Sequence, residues 1–189
     1  IVVMNPGSTS TKIALFENER CVQNVETPYA LPTAATPAER RRQADGLAQR
    51  VLAVLHDAGW PTVDAIAARG GFVPRPPGKL SGGVHAIAEL ERGKPRVNEP
   101  LVAAMIESPE KQHASNLGIP VAAALAERLK APAYFTDPVI VDEFIPEAEV
   151  SGYKGITRRN TSHALSVRAA ARHAARELGK SVDDVNLVV

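Results

Sequence analysis

The first 16 residues constrain the fold of this 189-residue chain more than any other segment does. The apolar run from Ile1 to Met4 predicts a strand, and a second run from Thr11 to Phe16 predicts another. Between them lies a turn of glycine and small hydroxyl residues. We therefore predict a β-hairpin whose tip presents backbone N–H groups, several hydroxyls, one amide and one cation.

The tip of this hairpin has the composition of a phosphate-binding loop. Phosphate oxygens need donors at close range without a bulky side chain in the way, which Gly7 and Ser8 provide. The segment is not a Walker A loop, because that motif has a glycine before its lysine and a serine or threonine after it. Here Thr11 precedes Lys12 and Ile13 follows. The alternative is an ordinary hairpin with a hydroxyl-rich turn, and the residues alone leave both interpretations open.

The composition is typical of one soluble domain with a sizeable core. The chain has 22 basic and 21 acidic residues, so nothing favours a nucleic acid or an acidic surface as its partner. Its single cysteine, Cys21, excludes an internal disulfide, and we expect it to be buried on a strand. No signal peptide is recognisable, and no apolar run approaches the length of about 18 residues that spans a bilayer. The default expectation is a cytoplasmic protein without membrane contact.

Beyond the hairpin, the pattern alternates between helices and strands. Thr36 and Glu39 flank Pro37 in the pattern of a capping box, which predicts a helix that ends at Gly59. Its solvated side is predicted to carry Arg40, Arg41, Arg42 and Arg50. The stretch 69–108 is rich in glycine and proline and is predicted to be irregular, apart from a helix at 98–107. The other predicted elements are strands at 21–27, 63–68, 133–136 and 187–189, and helices at 116–130 and from 162 or 163 to 178.

Several charged residues fall at the ends of predicted elements, where phosphoryl transfer needs positioning and charge neutralisation. Arg69 precedes a Gly-Gly pair, and its guanidinium suits a carboxylate clamp; the alternative is an arginine that leaves the core for water. Asp137 follows a strand, at the edge where open sheets place active-site groups, or else it only caps a turn. His163 opens a helix and suits donation to a transferring phosphoryl group; the alternative is a surface histidine.

Four motifs resemble the acetate and butyrate kinases, which belong to the actin, sugar kinase and Hsp70 superfamily. They are Asn5-x-Gly7-Ser8-Thr9-Ser10-x-Lys12, His113-Ala114-Ser115-Asn116-Leu117-Gly118, Asp137-Pro138-Val139-Ile140-Val141-Asp142-Glu143 and Arg158-Arg159-Asn160-Thr161-Ser162-His163. Pro6 and the Thr-Ser-Thr tail of the first are closer to the butyrate kinases. The fourth departs from the Arg-Arg-Tyr-Gly-Phe-His motif of acetate kinases in its three central residues. The resemblance covers nearly the whole chain and is weakest at residues 74–94.

The resemblance implies a fold and a domain organisation. The expected fold is an α/β, ribonuclease H-like (actin-like ATPase) domain, with a mixed sheet that antiparallel strands open and helices flank. Residues 1–189 would form the N-terminal domain of a two-domain kinase, and the C-terminal nucleotide-binding domain would lie outside this chain. Members of the family form homodimers or larger homo-oligomers.

The resemblance also implies an activity. The full protein would phosphorylate a short-chain carboxylate reversibly with ATP, giving an acyl phosphate and ADP, with Mg²⁺ accompanying the nucleotide. Butyrate or a branched analogue is the predicted acceptor. Acetate or propionate is the alternative, because one methylene in an apolar pocket changes binding by only about 1–3 kcal/mol. A non-catalytic actin-like nucleotide-binding scaffold is the alternative of another class, and the isolated domain should be inactive.

Individual roles follow from the same resemblance. Phosphate binding is assigned to Gly7, Ser8, Ser10 and Lys12, acceptor binding to Arg69, catalysis to Arg69, Asp137 and His163, and support of the site to His113 and Arg159. Asn5 stands where superfamily sugar kinases and chaperones usually carry an aspartate. An amide cannot act as a base, so Asn5 would position Mg²⁺, for example through a water. This suits an acceptor carboxylate that is already ionised and needs no deprotonation.

Overall fold

The computed structural model describes residues 1–28, 36–73, 80–107, 113–136, 138–139, 144–158 and 164–186. The strands are β1 (Val2–Pro6), β2 (Ser10–Glu17), β3 (Arg20–Pro28), β4 (Ile66–Arg69), β5 (Val84–Glu91), β6 (Lys94–Val97) and β7 (Ala133–Thr136). The α-helices are α1 (Pro37–Asp57), α2 (Glu99–Glu107), α3 (Gly118–Leu129), α4 (Pro146–Glu149) and α5 (Ala164–Glu177), and 3-10 turns cover Ala114–Leu117 and Val182–Asp184. None of the helices in these ranges is long and apolar enough to cross a membrane.

The described strands form one mixed sheet in the order β3-β2-β1-β4-β7-β5-β6. Strands β1, β2 and β3 follow one another in an antiparallel meander. Strands β1, β4 and β7 are parallel, so their carboxyl ends meet at one edge. The β5–β6 hairpin adds to the far side of β7 in the antiparallel direction. The predicted mixed sheet, opened by antiparallel strands and flanked by helices, is confirmed.

One face of the sheet carries the hydrophobic core. Alternate residues of the central strands point to this face, among them Met4, Ile13 and Ile66, and all three are almost fully buried. Helices α1 and α3 cover it with the buried side chains of Leu47, Val51, Leu55, Ile119 and Leu125. The residues between these positions point to the opposite face, which is where Asn5 and Lys12 lie.

The start of α1 has the predicted capping box. The Thr36 hydroxyl accepts a hydrogen bond from the Glu39 N–H at 3.3 Å, and the Glu39 carboxylate accepts one from the Thr36 N–H at 2.6 Å. Hydrogen bonds from the backbone and hydroxyl of Thr36 hold the pKa of the Glu39 carboxyl below its usual value. The helix ends at Asp57, and Gly59 follows in the left-handed region with φ of 72°. Both ends of this helix are therefore encoded locally.

Two predictions about single side chains are wrong. Arg40 is buried, with 6% of its surface exposed, because it falls on the same helical face as Ala44, Leu47 and Val51. Cys21 is exposed, because β3 is an edge strand and none of its residues is fully buried.

The stretch predicted to be irregular contains the β5–β6 hairpin. Its turn consists of Arg92 and Gly93, both with positive φ, 51° and 76°. Such turns usually carry asparagine, aspartate or glycine at the first position, so the arginine concealed the hairpin from the sequence analysis. The helix predicted at 98–107 is confirmed as α2. The strand predicted at 187–189 and a helix start at Ser162 or His163 lie outside the described residues.

We expect Gly118→Ala to lower the free energy of unfolding by about 1–3 kcal/mol, as overpacking does. A Cβ at Gly118 would lie 2.5 Å from the Arg69 carbonyl oxygen. That oxygen belongs to the central strand β4, whose pairing with β1 and β7 prevents it from moving away without cost. Gly46→Ala is the matched control, since Gly46 also lies in a helix but has open space around it. That change should raise stability by about 0.5–1 kcal/mol. Urea unfolding of both variants checks this, and an unchanged midpoint for Gly118→Ala would contradict it.

Candidate functional site

A cavity of about 490 Å³ opens at the edge of the sheet where β1 and β4 end. Open α/β sheets bind their ligands at the carboxyl ends of such strands. Seven of the residues that the sequence singled out line it: Asn5, Gly7, Ser8, Ser10, Lys12, Arg69 and His113. Asp137, Arg159 and His163 lie outside the described residues. The structure thus brings the seven together, and the roles assigned to them stay predictions.

The hairpin tip forms the first wall of the cavity. The Gly7 N–H donates to the Ser10 carbonyl oxygen at 2.8 Å, which closes the loop. A Cβ at Gly7 would lie 2.9 Å from that same oxygen, so the closed loop needs glycine there. Within the described part of the chain, the N–H groups of Ser8 and Thr9 have no acceptor. The N–H groups and the hydroxyls of Ser8 and Thr9 are therefore available at the tip for an anion.

Three polar side chains stand in a row across the neighbouring strands β1, β2 and β3. Asn5 pairs with Lys12 in the register of the first hairpin, and Lys12 pairs with Glu26 in the register of the second. Directly paired residues share a face of the sheet, so an amide, an ammonium and a carboxylate line the cavity side by side. The Ser10 hydroxyl donates a hydrogen bond to the Glu26 carboxylate. The site therefore contains a negative charge as well as positive ones.

Arg69 stands on the opposite side of β1 from this row. It is the last residue of β4 and pairs with Thr136, the last residue of β7. One backbone hydrogen bond joins the loop that follows to the end of β7, and a second joins it to the segment after β7. The Gly70 N–H donates to the Thr136 carbonyl oxygen at 2.6 Å, and the Val139 N–H donates to the Gly71 carbonyl oxygen at 3.0 Å. The backbone that follows Arg69 is thereby fixed to the end of β7 and to the residues after it.

His113 and Phe72 form the remaining wall. The Nδ1 atom of His113 accepts a hydrogen bond from the Ser115 N–H at 3.2 Å and lies 2.7 Å from the Ser115 hydroxyl oxygen. Because a backbone N–H can only donate, Nδ1 is the acceptor and Nε2 carries the ring proton. The ring also contacts Phe72 edge to face, with centroids 5.8 Å apart and planes inclined at 71°. His113 is therefore held in one orientation, and Nε2 is its donor for a ligand.

Sequence reasoning missed Glu26 and Phe72 as site residues. Glu26 reaches the cavity through its pairing with Lys12, and a register shift at Leu15 and Phe16 decides that pairing. Nothing in the sequence located this shift. Phe72 follows Arg69 and the Gly-Gly pair, so its closeness to the predicted clamp was the signal that could have identified it.

The oxygen atoms of the site suit Mg²⁺ better than a softer metal ion. Asn5, Ser10 and Glu26 offer amide, hydroxyl and carboxylate oxygens, the ligand types that Mg²⁺ prefers. Among the described residues, no group of three or more His, Cys, Asp or Glu side chains could hold a metal by itself. The donor set therefore fits a metal ion that arrives with phosphate ligands of its own.

No family model matches the chain. Over all 189 residues it is 34% identical to a protein of Enterococcus faecalis described as a probable butyrate kinase. The chain spans about half of that relative, 49% of its length. The crystal structure of acetate kinase from Entamoeba histolytica superposes with a TM-score of 0.50 at 10% identity, over 94% of this chain and 46% of that one. The resemblance to butyrate and acetate kinases is confirmed, and the second likeness shows the actin-like ATPase fold.

We expect Asn116→Ala to weaken the wall that carries Phe72. The Asn116 side-chain oxygen accepts a hydrogen bond from the Phe72 N–H at 2.9 Å, and Asn116 is only 5% exposed. Loss of this acceptor should lower the free energy of unfolding by about 1–3 kcal/mol. Asn24→Ala, on the exposed side of β3, is the control and should change it by less than about 0.5 kcal/mol. Equal urea midpoints for the two variants would show that the Asn116 bond contributes nothing.

Proposed function

We propose that this chain is the N-terminal domain of a kinase that transfers the γ-phosphoryl group of ATP to a short-chain carboxylate. The observation that carries the proposal is one cavity in which the donors of the hairpin tip and Lys12 occur together with Arg69. The similarity to a probable butyrate kinase over the whole chain supports it independently. The products would be an acyl phosphate and ADP, and the reaction would be reversible.

The hairpin tip suits the phosphates of the nucleotide. Its free N–H groups and the exposed ammonium of Lys12 offer hydrogen bonds and positive charge without a bulky side chain at Gly7. Phosphoryl transfer needs this kind of positioning and charge neutralisation more than it needs covalent chemistry. Gly7, Ser8, Ser10 and Lys12 would form the phosphate side of the site, with the N–H groups of the tip and the Lys12 ammonium in direct contact with phosphate oxygens.

Arg69 suits the acceptor. A guanidinium binds a carboxylate through two parallel hydrogen bonds, and the backbone ties after β4 restrict where this one can lie. An ionised carboxylate attacks without losing a proton, so the chain need not supply a base at Asn5. The Nε2 proton of His113 is a further donor within the same cavity. Catalytic roles for Asp137 and His163, and a supporting role for Arg159, belong to the same proposal.

Magnesium would enter with the nucleotide, and Asn5 would hold it directly or through a water. When bound, Mg²⁺ neutralises the charge of the phosphate oxygens. The amide of Asn5 is half-buried on β1 beside Lys12, which gives it a fixed place at the floor of the cavity. Its part is to orient, since an amide neither gives nor takes a proton under these conditions.

Butyrate or a branched analogue is the acceptor that we propose, with acetate or propionate as the nearest alternative. Phe72 gives an apolar side to the cavity that Arg69 also lines, which suits an acyl chain, and the name of the relative from Enterococcus faecalis points to butyrate. The protein would act as a cytoplasmic homo-oligomer whose partners are ATP, ADP and the acid. The second domain would complete the nucleotide site, so the isolated 189 residues should be inactive.

Trapping of the acyl phosphate with hydroxylamine tests the proposed function. The full-length protein is incubated with Mg-ATP and a series of acids from acetate to valerate, and the hydroxamate is measured. A signal centred on butyrate or isobutyrate is expected. A signal centred on acetate would replace the proposed acceptor. ATP binding without hydroxamate from any acid would leave an actin-like nucleotide-binding scaffold and overturn the proposal.

We expect Arg69→Lys to raise the KM for the carboxylate by about 10- to 100-fold, the worth of a hydrogen bond to a charged group. Lysine keeps the charge but loses the two parallel donors. The KM for ATP should change far less. Arg128→Lys makes the same exchange on the exposed side of α3, outside the cavity, and should change neither constant. If Arg69→Lys raised the KM for ATP as much as the KM for the carboxylate, the proposed binding of the acceptor by Arg69 would be contradicted.

A further inference from the structure

Glu26 places a carboxylate inside the predicted phosphate site. Glu26 lies on the edge strand β3, lines the same cavity as Ser8, Ser10 and Lys12, and is exposed to solvent there. A phosphate oxygen that enters the cavity meets this negative charge at short range. Glu26 therefore opposes the binding of a bare anion.

The contact with Ser10 strengthens this opposition. A serine hydroxyl has one proton, and Ser10 donates it to the Glu26 carboxylate. While that bond persists, Ser10 presents only lone pairs to the cavity. A phosphate oxygen is an acceptor and gains nothing from a lone pair. The Ser10–Glu26 pair thus forms an acceptor surface in the same cavity as the donors of Lys12, His113 and the hairpin tip.

Lys12 does not cancel the charge of Glu26 by direct contact. The two residues are paired across β2 and β3, so their side chains start from neighbouring positions on one face. Yet in the residues that the structure describes, no carboxylate oxygen lies within 4.0 Å of the Lys12 ammonium. The ammonium and the carboxylate are therefore separately available to a ligand.

We propose that Glu26 is a specificity-determining residue that makes nucleotide binding at the hairpin depend on Mg²⁺. This rests on the proposed function. Lys12 and the backbone donors bind phosphate oxygens, whereas the Ser10–Glu26 pair favours the metal-bound form of the phosphates and disfavours the bare form. Mg²⁺ in proteins keeps several waters and takes one or two carboxylates beside phosphate oxygens, which fits the single carboxylate that the described residues bring to the cavity.

The test compares the affinity for ADP with Mg²⁺ and with EDTA, in the full-length protein and in Glu26→Gln. Calorimetric titration without any carboxylate acceptor measures binding in the absence of turnover. Glutamine keeps an oxygen that accepts from Ser10 and removes only the charge. We expect bare ADP to bind Glu26→Gln more tightly, so that the preference for Mg-ADP falls by about 3- to 10-fold. This decrease in the preference for Mg-ADP should be smaller at high salt, because salt screens the charge of an exposed residue such as Glu26.

Glu89→Gln removes the same charge from the exposed side of β5, outside the cavity, and should leave the preference unchanged. Glu26→Ala should lower the preference at least as much as Glu26→Gln, and since Glu26 is exposed both variants should keep the thermal stability of the parent. An equal preference for Mg-ADP in the parent and in both Glu26 variants would overturn the proposed role of Glu26 but would leave the proposed function of the protein intact. Absence of ADP binding by the parent under either condition would overturn the proposed function as well.

Discussion

The hydrogen bond from the Gly7 N–H to the Ser10 carbonyl oxygen fixes the register on which the site depends. It closes the first hairpin so that Asn5 pairs with Lys12. Side chains alternate along a strand, so a slip by one residue would turn Lys12 into the core and Ile13 into the cavity. Such a slip would bury a charge and expose a core side chain at once. The core and the site therefore enforce the same register.

The part of the site that carries Arg69 and Phe72 is held by hydrogen bonds between elements that are distant in the chain. The loop after β4 is tied to the segment after β7, and the Phe72 N–H is tied to the Asn116 side chain. Close packing of Gly118 on the Arg69 carbonyl oxygen adds a third constraint. Arg69 is thus placed by the sheet and by α3 together. A rigid scaffold of this kind limits the conformational freedom that a side chain loses when it binds a ligand.

Local signals in the sequence were enough to predict much of the fold. The capping box of α1, the strand at β7 and the first hairpin were all predicted from residues close together in the chain. Features that tertiary packing determines could not be predicted from such local signals. The burial of Arg40 depends on which helical face meets α3 and the sheet, and the place of Glu26 depends on an irregularity in the pairing of β2 with β3. Composition and spacing indicated the hairpin tip and Arg69, and the family resemblance indicated Asn5 and His113, whereas the negative charge of the site followed only from the strand register.

The far edge of the sheet is formed by the short strand β6. Strand β6 ends the strand order, so one side of its backbone has no neighbouring strand in the described chain. An open edge of this kind is a template on which a second molecule can add a strand. Here the edge strand is four residues long, Pro95 removes one N–H from it, and Lys94 and Arg96 place two positive charges along it. Arg96 lies 3.8 Å from the Glu91 carboxylate, so a second copy would meet mainly the charge of Lys94 and a donor row interrupted at Pro95, which makes this edge a poor template for strand addition.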